Sequence, residues 1–389
     1  MHPNVPHLRF PEFHGEWCVS TIGEQFDLYS GNTPSRLNKE HFEGNVNWIT
    51  SGELKEHYIS DTKEKISEDA ATANNLKLLH PGTFVIAIYG LEADGVRGTG
   101  SITCKESTIS QACMAFTQKG DVKNEFLYSW YKKHGNIIGI KYAQGTKQQN
   151  LSYDILEKFH IAYPSQDEQD KLIKFISLLD ERIASQSKLI EKLESLIKGI
   201  VDCTILRKEK NAIVGDVCSI SEQIRAEANI DDIITVRLHG NGVCKSSAEN
   251  LQLGATQYYR RRAGQLIYGK QNFHNGAIGI VPISLDNGIT SKDIPSFDID
   301  EMKCNSVYLL AQLQSPQYYK PAEALTTGTG SKRLKEETFL KLPIVLPNKR
   351  EQDNIAVLIH RASMNLDHAK RLLELLSIQK QFLLRQMFI

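Results

Sequence analysis

The sequence predicts a duplicated fold: two mixed α/β (α+β) segments, separated by two long helices that form an antiparallel coiled coil, with internal pseudo-two-fold symmetry. Three observations point to it. One stretch recurs 183 residues later in the 389-residue chain. A heptad-spaced stripe follows each copy. The intervening sequence alternates short strand-like runs, bounded by Gly and Pro, with shorter helical runs.

The repeat comes first, because self-similarity decides the architecture before any local pattern does. Shifting the chain by 183 aligns YAQGTKQQNLSYDILEKFHIAYPSQDEQDKLIKFI with LTTGTGSKRLKEETFLKLPIVLPNKREQDNIAVLI. Gly145, Thr146, Leu151, Lys158, Ile161, Pro164, Glu168, Gln169 and Asp170 meet Gly328, Thr329, Leu334, Lys341, Ile344, Pro347, Glu351, Gln352 and Asp353, all without a gap. Fainter echoes lie upstream. TIGEQFDLYSG (21–31) resembles IVGDVCSISEQ (213–223), and PGTFVIAIYG (81–90) resembles AGQLIYGKQN (263–272). The shift changes slightly, as expected where loops vary on a kept scaffold.

The helices follow. Leu172, Ile176, Leu179, Ile183, Gln186, Ile190, Leu193, Ile197 and Ile200 are spaced alternately by four and three, an a/d seam. The shifted seam is Ile355, Ile359, Ala362, Leu366, Ala369, Leu373, Leu376, Lys380 and Leu383. Each helix starts just after a proline, Pro164 or Pro347, and Asp167, Glu168 and Asp170 put negative charge at the first turn of the earlier one. A helix of about 34 residues spans roughly 50 Å. Two such seams in one chain bury each other most simply. Two amphipathic helices docked on separate globules are the alternative. Gln186 opposite Ala369 is placed to set the register.

The α/β segments are then 1–165 and 206–346, with helical segments 166–205 and 347–389. FVIAIYG, SITCKESTIS, AFTQ, KFHIAYP, QLIYG, AIGIVPI and LPIVLP read as strands; EFLYSWYKKHG and SVYLLAQLQS read as helices. Each segment is long enough for its own core.

Composition narrows the function classes. Hydrophobic residues are 41% and charged residues 24%, ordinary for a globular protein. No run reaches the roughly 18 apolar residues of a membrane span. The N-terminus lacks a signal pattern, so a cytoplasmic protein is expected. Seven scattered cysteines without a CxxC suggest reduced, mostly buried thiols. Net charge is zero, and neither segment is broadly basic: 1–165 holds 16 Lys/Arg against 19 Asp/Glu, and 206–346 holds 17 against 15. A nucleic-acid surface would have to be a local patch.

Catalytic signatures are missing. There is no GxxxxGK[ST] loop, no [ND]PP[YF] tetrapeptide for an amino-methyltransferase, no HExxH and no paired CxxC. GVRGTG (95–100) precedes no helix pattern and reads as a turn. Glu53-Leu54-Lys55 matches the end of a nuclease triad, but such tripeptides are common by chance.

Polar, basic loops remain. In the first half they comprise Arg97, Lys141, Gly145, Thr146, Lys147, Gln148, Gln149 and Asn150. In the second they comprise Arg260, Arg261, Arg262, Lys270, Gln271 and Asn272, followed by Phe273-His274, and Gly328, Thr329, Ser331, Lys332 and Arg333. Arg and Lys suit guanine edges and phosphates, while Asn and Gln bond adenine bidentately. Gly and Thr let backbone N–H groups approach phosphate. Solvated loops are the alternative, weakened for the Gly-Thr pair because the same polarity occurs twice.

This arrangement resembles the specificity (S) subunits of type I restriction–modification systems. VPHLRFPEFHGEWCVSTIGE resembles their opening, GNTPSRLNKEHFEGNVNWITSGEL (31–54) their G-x-T-P-S…W-I-T region, and 142–183 the segment leading into the first conserved helix. The second half lacks a G-x-T-P-S match, and its Gly-Thr loop carries KR in place of QQN. The resemblance implies a non-catalytic DNA-binding subunit. Each target-recognition domain would read half of a bipartite double-stranded site. The helices would set the spacing and dock two methyltransferase (M) subunits, and restriction (R) subunits would join them. S-adenosylmethionine, ATP and Mg2+ would belong to those partners, with no cofactor or metal in this chain. Half-sites one helical turn apart lie about 34–36 Å from each other, within the reach of such helices. A coiled-coil protein-binding scaffold is the alternative, and a fused enzyme a third.

Overall fold

The computed structural model describes residues 4–93, 95–145, 149–246, 256–328 and 332–389. Four longer helices occur among them: α1 (Asn124–Tyr142), α2 (Gln166–Val201), α3 (Ser306–Leu313) and α4 (Lys349–Met387). The chain forms two compact units. One runs to Ser185 and includes Leu372–Ile389; the other is Gln186–Arg371. Each unit therefore holds one α/β segment, the first part of one long helix and the last part of the other.

The first unit contains β1 (Cys18–Thr21), β2 (Phe26–Ser30), β3 (Val46–Ile49), β4 (Tyr58–Ile59), β5 (Lys65–Ile66), β6 (Phe84–Ala87), β7 (Gly100–Thr103), β8 (Ser107–Ile109), β9 (Cys113–Gln118) and β10 (His160–Tyr163). Its main sheet has the order β2-β9-β6-β7-β4, and a smaller one the order β5-β3-β8. The second unit contains β11 (Ala212–Ile213), β12 (Cys218–Ile220), β13 (Arg225–Ala226), β14 (Ile234–Val236), β15 (Val243–Lys245), β16 (Tyr258–Arg260), β17 (Leu266–Tyr268), β18 (Ile278–Ile280), β19 (Ile289–Ser291), β20 (Ser296–Ile299) and β21 (Pro343–Ile344). Its main sheet has the order β12-β20-β17-β18.

The duplication reaches the register of these sheets. Phe116 of β9 lies opposite Leu28 and Phe84, and Phe297 of β20 opposite Ile220 and Leu266. Both phenylalanines are buried, as are all four residues of β6 and all three of β17, so these central strands read as continuous apolar runs. Gly82 and Gly264 begin the equivalent strands with the same left-handed turn, both at φ 86°. Outside the main sheets, β1 pairs with β10 and β11 with β21, antiparallel.

Where α/β segment meets helix, the shared Glu-Gln-Asp acts the same way twice. The Gln169 carboxamide accepts from Lys123 N–H at 3.0 Å and donates to the Pro164 carbonyl at 3.0 Å. Gln352 accepts from Asn305 N–H at 2.9 Å and donates to the Pro347 carbonyl at 2.8 Å. Lys123 and Asn305 are the residues that cap α1 and α3. Glu168 pairs with Arg9 and Glu351 with Lys208.

The long helices pair antiparallel within each unit. In the first, Asp180 of α2 meets Lys380 of α4. In the second, Glu194 meets Lys370 at 2.8 Å, while Val201 shares a core cluster with Ile355 and Ile359. Leu172 and Ile176 are buried, and Leu179, Ile183, Gln186, Ile190, Leu193 and Ile197 are half-buried. On α4, Ile355, Ile359, Ala369 and Leu376 are buried, and Leu366 and Leu373 half-buried. Gln186 donates to the Ala369 carbonyl at 3.1 Å.

Several local expectations change. SITCKESTIS is two strands broken by a turn, not one. EFLYSWYKKHG extends through IIGI to Tyr142, because Gly135 and Gly139 give close approach without ending the helix. Cys113, Cys218 and Cys304 are buried, but Cys18, Cys104 and Cys203 are exposed and Cys244 is intermediate, so most thiols are not buried; all seven are free. Among the described residues, no helix is long and apolar enough to cross a membrane.

Candidate nucleic-acid interface

The two Gly-Thr loops are closed by the same bonds. Gln144 and Asn150 exchange backbone hydrogen bonds, both 2.9 Å; Thr327 and Arg333 do so at 3.0 and 2.9 Å. Each closure frames a five-residue loop, and the closures are 183 residues apart. Gly145 and Gly328 begin the loops at φ 108° and 130°, a backbone that favours glycine. The next residues, Leu151 and Leu334, are buried. Their N–H groups donate to the carbonyls of Ile88 (2.9 Å) and Lys270 (2.8 Å), just past the equivalent strands β6 and β17. Each loop is thus a tip on a rigid core. Thr146, Lys147 and Gln148, and Thr329 and Ser331, lie outside the described residues.

The surroundings differ. In the first half, Arg97 donates to Gln149 Oε1 at 2.7 Å, and Gln149 N–H donates to Glu92 at 2.8 Å. That backbone bond is the main reason the Glu92 carboxyl lies below its ordinary pKa. Arg97 reaches the loop by crossing α1 at Gly139, where an added Cβ would meet Arg97 Cγ at 2.5 Å. GVRGTG is accordingly a turn, with Gly95 and Gly98 at φ 75° and 71°. Asn150 Oδ1 is buried with no partner among the described residues. Lys141 is exposed, its amine 5.1 Å from the Tyr142 ring centre.

In the second half the cations carry carboxylate partners. Arg333 meets Asp293 at 3.2 Å, Lys332 meets Glu323 at 3.7 Å, and Lys270 meets Glu336 at 2.7 Å. The first two pairs are about half exposed, so each is weak and open to exchange. Gln271 and Asn272 are exposed beside them.

Residues 14–195 match the family model described as the type I restriction modification DNA specificity domain. That stretch, just under half of the chain, is similar to the type I restriction–modification specificity family. It is 28% identical over 185 residues to the type I restriction enzyme MjaIX specificity subunit of Methanocaldococcus jannaschii, a match spanning 46% of this chain and 42% of that protein. It is 20% identical over 384 residues to the MjaVIII specificity subunit of the same organism, across 89% and 87% of the two chains. The crystal structure of a type I restriction-modification system S subunit from M. genitalium has the same fold, with a TM-score of 0.66 at 16% identity over 99% of each chain.

The structure sorts the basic candidates of the second half. Arg260 and Arg262 are exposed, in a cleft of about 380 Å³ that also holds Glu222, Asp298 and Glu301. They precede β17, whereas Lys270 follows it, so the arginine run and the Gly328 loop lie at opposite ends of that strand. Arg261 is a correction: it is fully buried and cannot face DNA. Its guanidinium donates to Thr290 Oγ1 (2.7 Å), Ser296 Oγ (2.9 Å), the Ile294 carbonyl (3.0 Å) and Gln223 Oε1 (3.3 Å). Burial lowers its pKa to about 10. Phe273 is likewise core, packed against Tyr268 and Phe339.

Glu53 has a structural role. Its carboxylate accepts from Thr50 N–H and Oγ1 at 2.9 and 2.8 Å and from Lys63 N–H at 2.7 Å. Sequence reading missed Glu92, Asp293, Glu323 and Glu336. Asp293 and Glu336 lie 40 and 66 residues from the cations they face and Glu92 lies 57 from Gln149, while Glu323 is only nine from Lys332; no sequence signal joins them.

Proposed function

We propose that this chain is the non-catalytic DNA-sequence-recognition subunit of a type I restriction–modification complex, each α/β segment reading one half of a bipartite site. The observation that carries this reading is the pair of identically closed, glycine-started polar loops, in a chain whose residues 14–195 match the specificity-domain family. A phosphate-contacting backbone needs glycine-permitted geometry, and base reading needs the Lys, Arg, Gln and Asn side chains these loops and their neighbours supply. The scaffold alternative finds no support in the relatives.

The paired helices set the distance between half-sites and dock two M subunits, with R subunits completing the nuclease. S-adenosylmethionine, ATP and Mg2+ act in those partners. Helices of 36 and 39 residues span about 54 and 58 Å, enough to bridge one turn of DNA. Leu375, Ile378 and Phe382 form an exposed apolar stripe on α4, away from the seam, which suits a partner helix.

Exchanging residues 1–150 for the corresponding segment of another family member tests the reading. Methylation mapping with the assembled methyltransferase should show one half-site changed and the other kept. A change in both halves, or in neither, would overturn modular recognition.

A further inference from the structure

The first unit holds a cluster of charged side chains in which the Asp180–Lys380 pair of the long helices meets two further groups. His57, just before β4, lies flat between Tyr58 and Tyr128, with ring centres at 4.1 and 3.9 Å. Its Nε2 is 2.8 Å from Glu125 Oε2 of α1. Its Nδ1 is 3.4 Å from Asp180 Oδ2 of α2, close enough for an ion pair. The other Asp180 oxygen accepts from Lys380 of α4. The His57, Glu125, Asp180 and Lys380 side chains are 13%, 27%, 21% and 18% exposed. Lys132 of α1 and Glu56 also face the cluster. So do the Tyr58 and Tyr128 hydroxyls, whose pKa values burial raises.

The second repeat does not carry the same residues at the matching helix positions. The 183-residue shift places Ser363 where Asp180 stands and Ile197 where Lys380 stands. Lys380 therefore occupies an apolar seam position in one helix only. A charged residue there costs helix pairing, and its use is specificity of docking and register.

We propose that Asp180 and Lys380 form a charged socket on the helix pair that positions the first α/β segment through His57 and Glu125, and that loss of the His57 proton loosens this seating. The lever is α1. Glu125 and Tyr128 stand near its start, and its last residue, Tyr142, precedes the Gln144–Asn150 closure by two residues. A tilt of α1 at the socket moves the Gln144–Asn150 closure.

The proton dependence follows from the surroundings. Burial disfavours the imidazolium, but Asp180 and Glu125 together outweigh it, and the His57 pKa is raised. A group with a raised folded-state pKa stabilises fully below its unfolded value, near 6.5, and that contribution fades as pH rises through the folded value. Lys132 acts in a higher window. Burial and Lys380 lower its pKa to about 8, so its repulsion is relieved only above that pH. The informative range is therefore about pH 6 to 8.

Amide hydrogen exchange on the full chain, corrected for the intrinsic pH dependence of exchange, tests this without DNA and so independently of the function proposed above. Peptides over 52–60, 124–134 and 176–184 should exchange severalfold faster at the upper end of the range. His57→Gln should be fast throughout, with no slope. A flat wild-type profile, or a slope surviving in His57→Gln, would refute the socket. Asp180→Asn, nearly the same shape, provides a second arm: it should move the transition to lower pH, and an unmoved transition also refutes the proposal.

Discussion

Arg260, Arg261 and Arg262 are chemically identical in the sequence, yet the structure divides them where β16 ends. The outer two are exposed and the middle one is buried among Thr290, Ser296 and the Ile294 carbonyl. Arg260 closes β16 and the next two follow it, and a run of three arginines has no polar–apolar contrast to reveal which one turns inward. Different outcomes follow for neighbouring substitutions. Arg261→Met removes the buried donor to the Thr290 and Ser296 hydroxyls and one of the two donors to the Ile294 carbonyl, and should cost about 3 kcal/mol in urea unfolding. Arg260→Ala and Arg262→Ala should stay within about 0.5 kcal/mol of wild type. A neutral Arg261→Met would show that the guanidinium does not hold these strands together.

The elements legible in the sequence are those whose pattern is local. The heptad seam needs only its own helix, and α2 and α4 cover the expected stretches. The sheet orders were not legible, because strands of three to six residues pair across tens of residues: Phe84 meets Phe116, and Ile220 meets Phe297. The Glu-Gln-Asp identity sits between these cases. It was visible as a repeat, but its partners, Lys123 and Asn305, lie 46 and 47 residues upstream. Because Gln169 and Gln352 make matching bonds and are both buried, Gln169→Ala and Gln352→Ala should destabilise by similar amounts, about 2 kcal/mol each. They share no partners, so the double variant should be additive within about 0.5 kcal/mol. Strong non-additivity in denaturant titration would mean that the two junctions are not independent copies.

For the molecule as a whole, zero net charge and carboxylate-paired loop cations limit non-specific attraction to DNA. The paired state of Arg333 matters most. Asp293 holds it at 3.2 Å in a half-exposed pair, and Lys270 N–H donates to the Asp293 carbonyl at 2.9 Å, which keeps that carboxylate in place. Under the proposed function, DNA would have to displace Asp293, and only a site offering Arg333 a good acceptor would repay that loss, so the carboxylate would sharpen discrimination. Asp293→Asn should therefore tighten binding to all duplexes and narrow the gap between cognate and mismatched ones. Lys332→Ala should weaken all sequences together and lower the magnitude of the salt slope by about one. Anisotropy titrations of the methyltransferase-bound chain over a salt series distinguish the two. If Asp293→Asn widened the cognate gap, Asp293 would be assisting Arg333 in reading DNA and not restraining it.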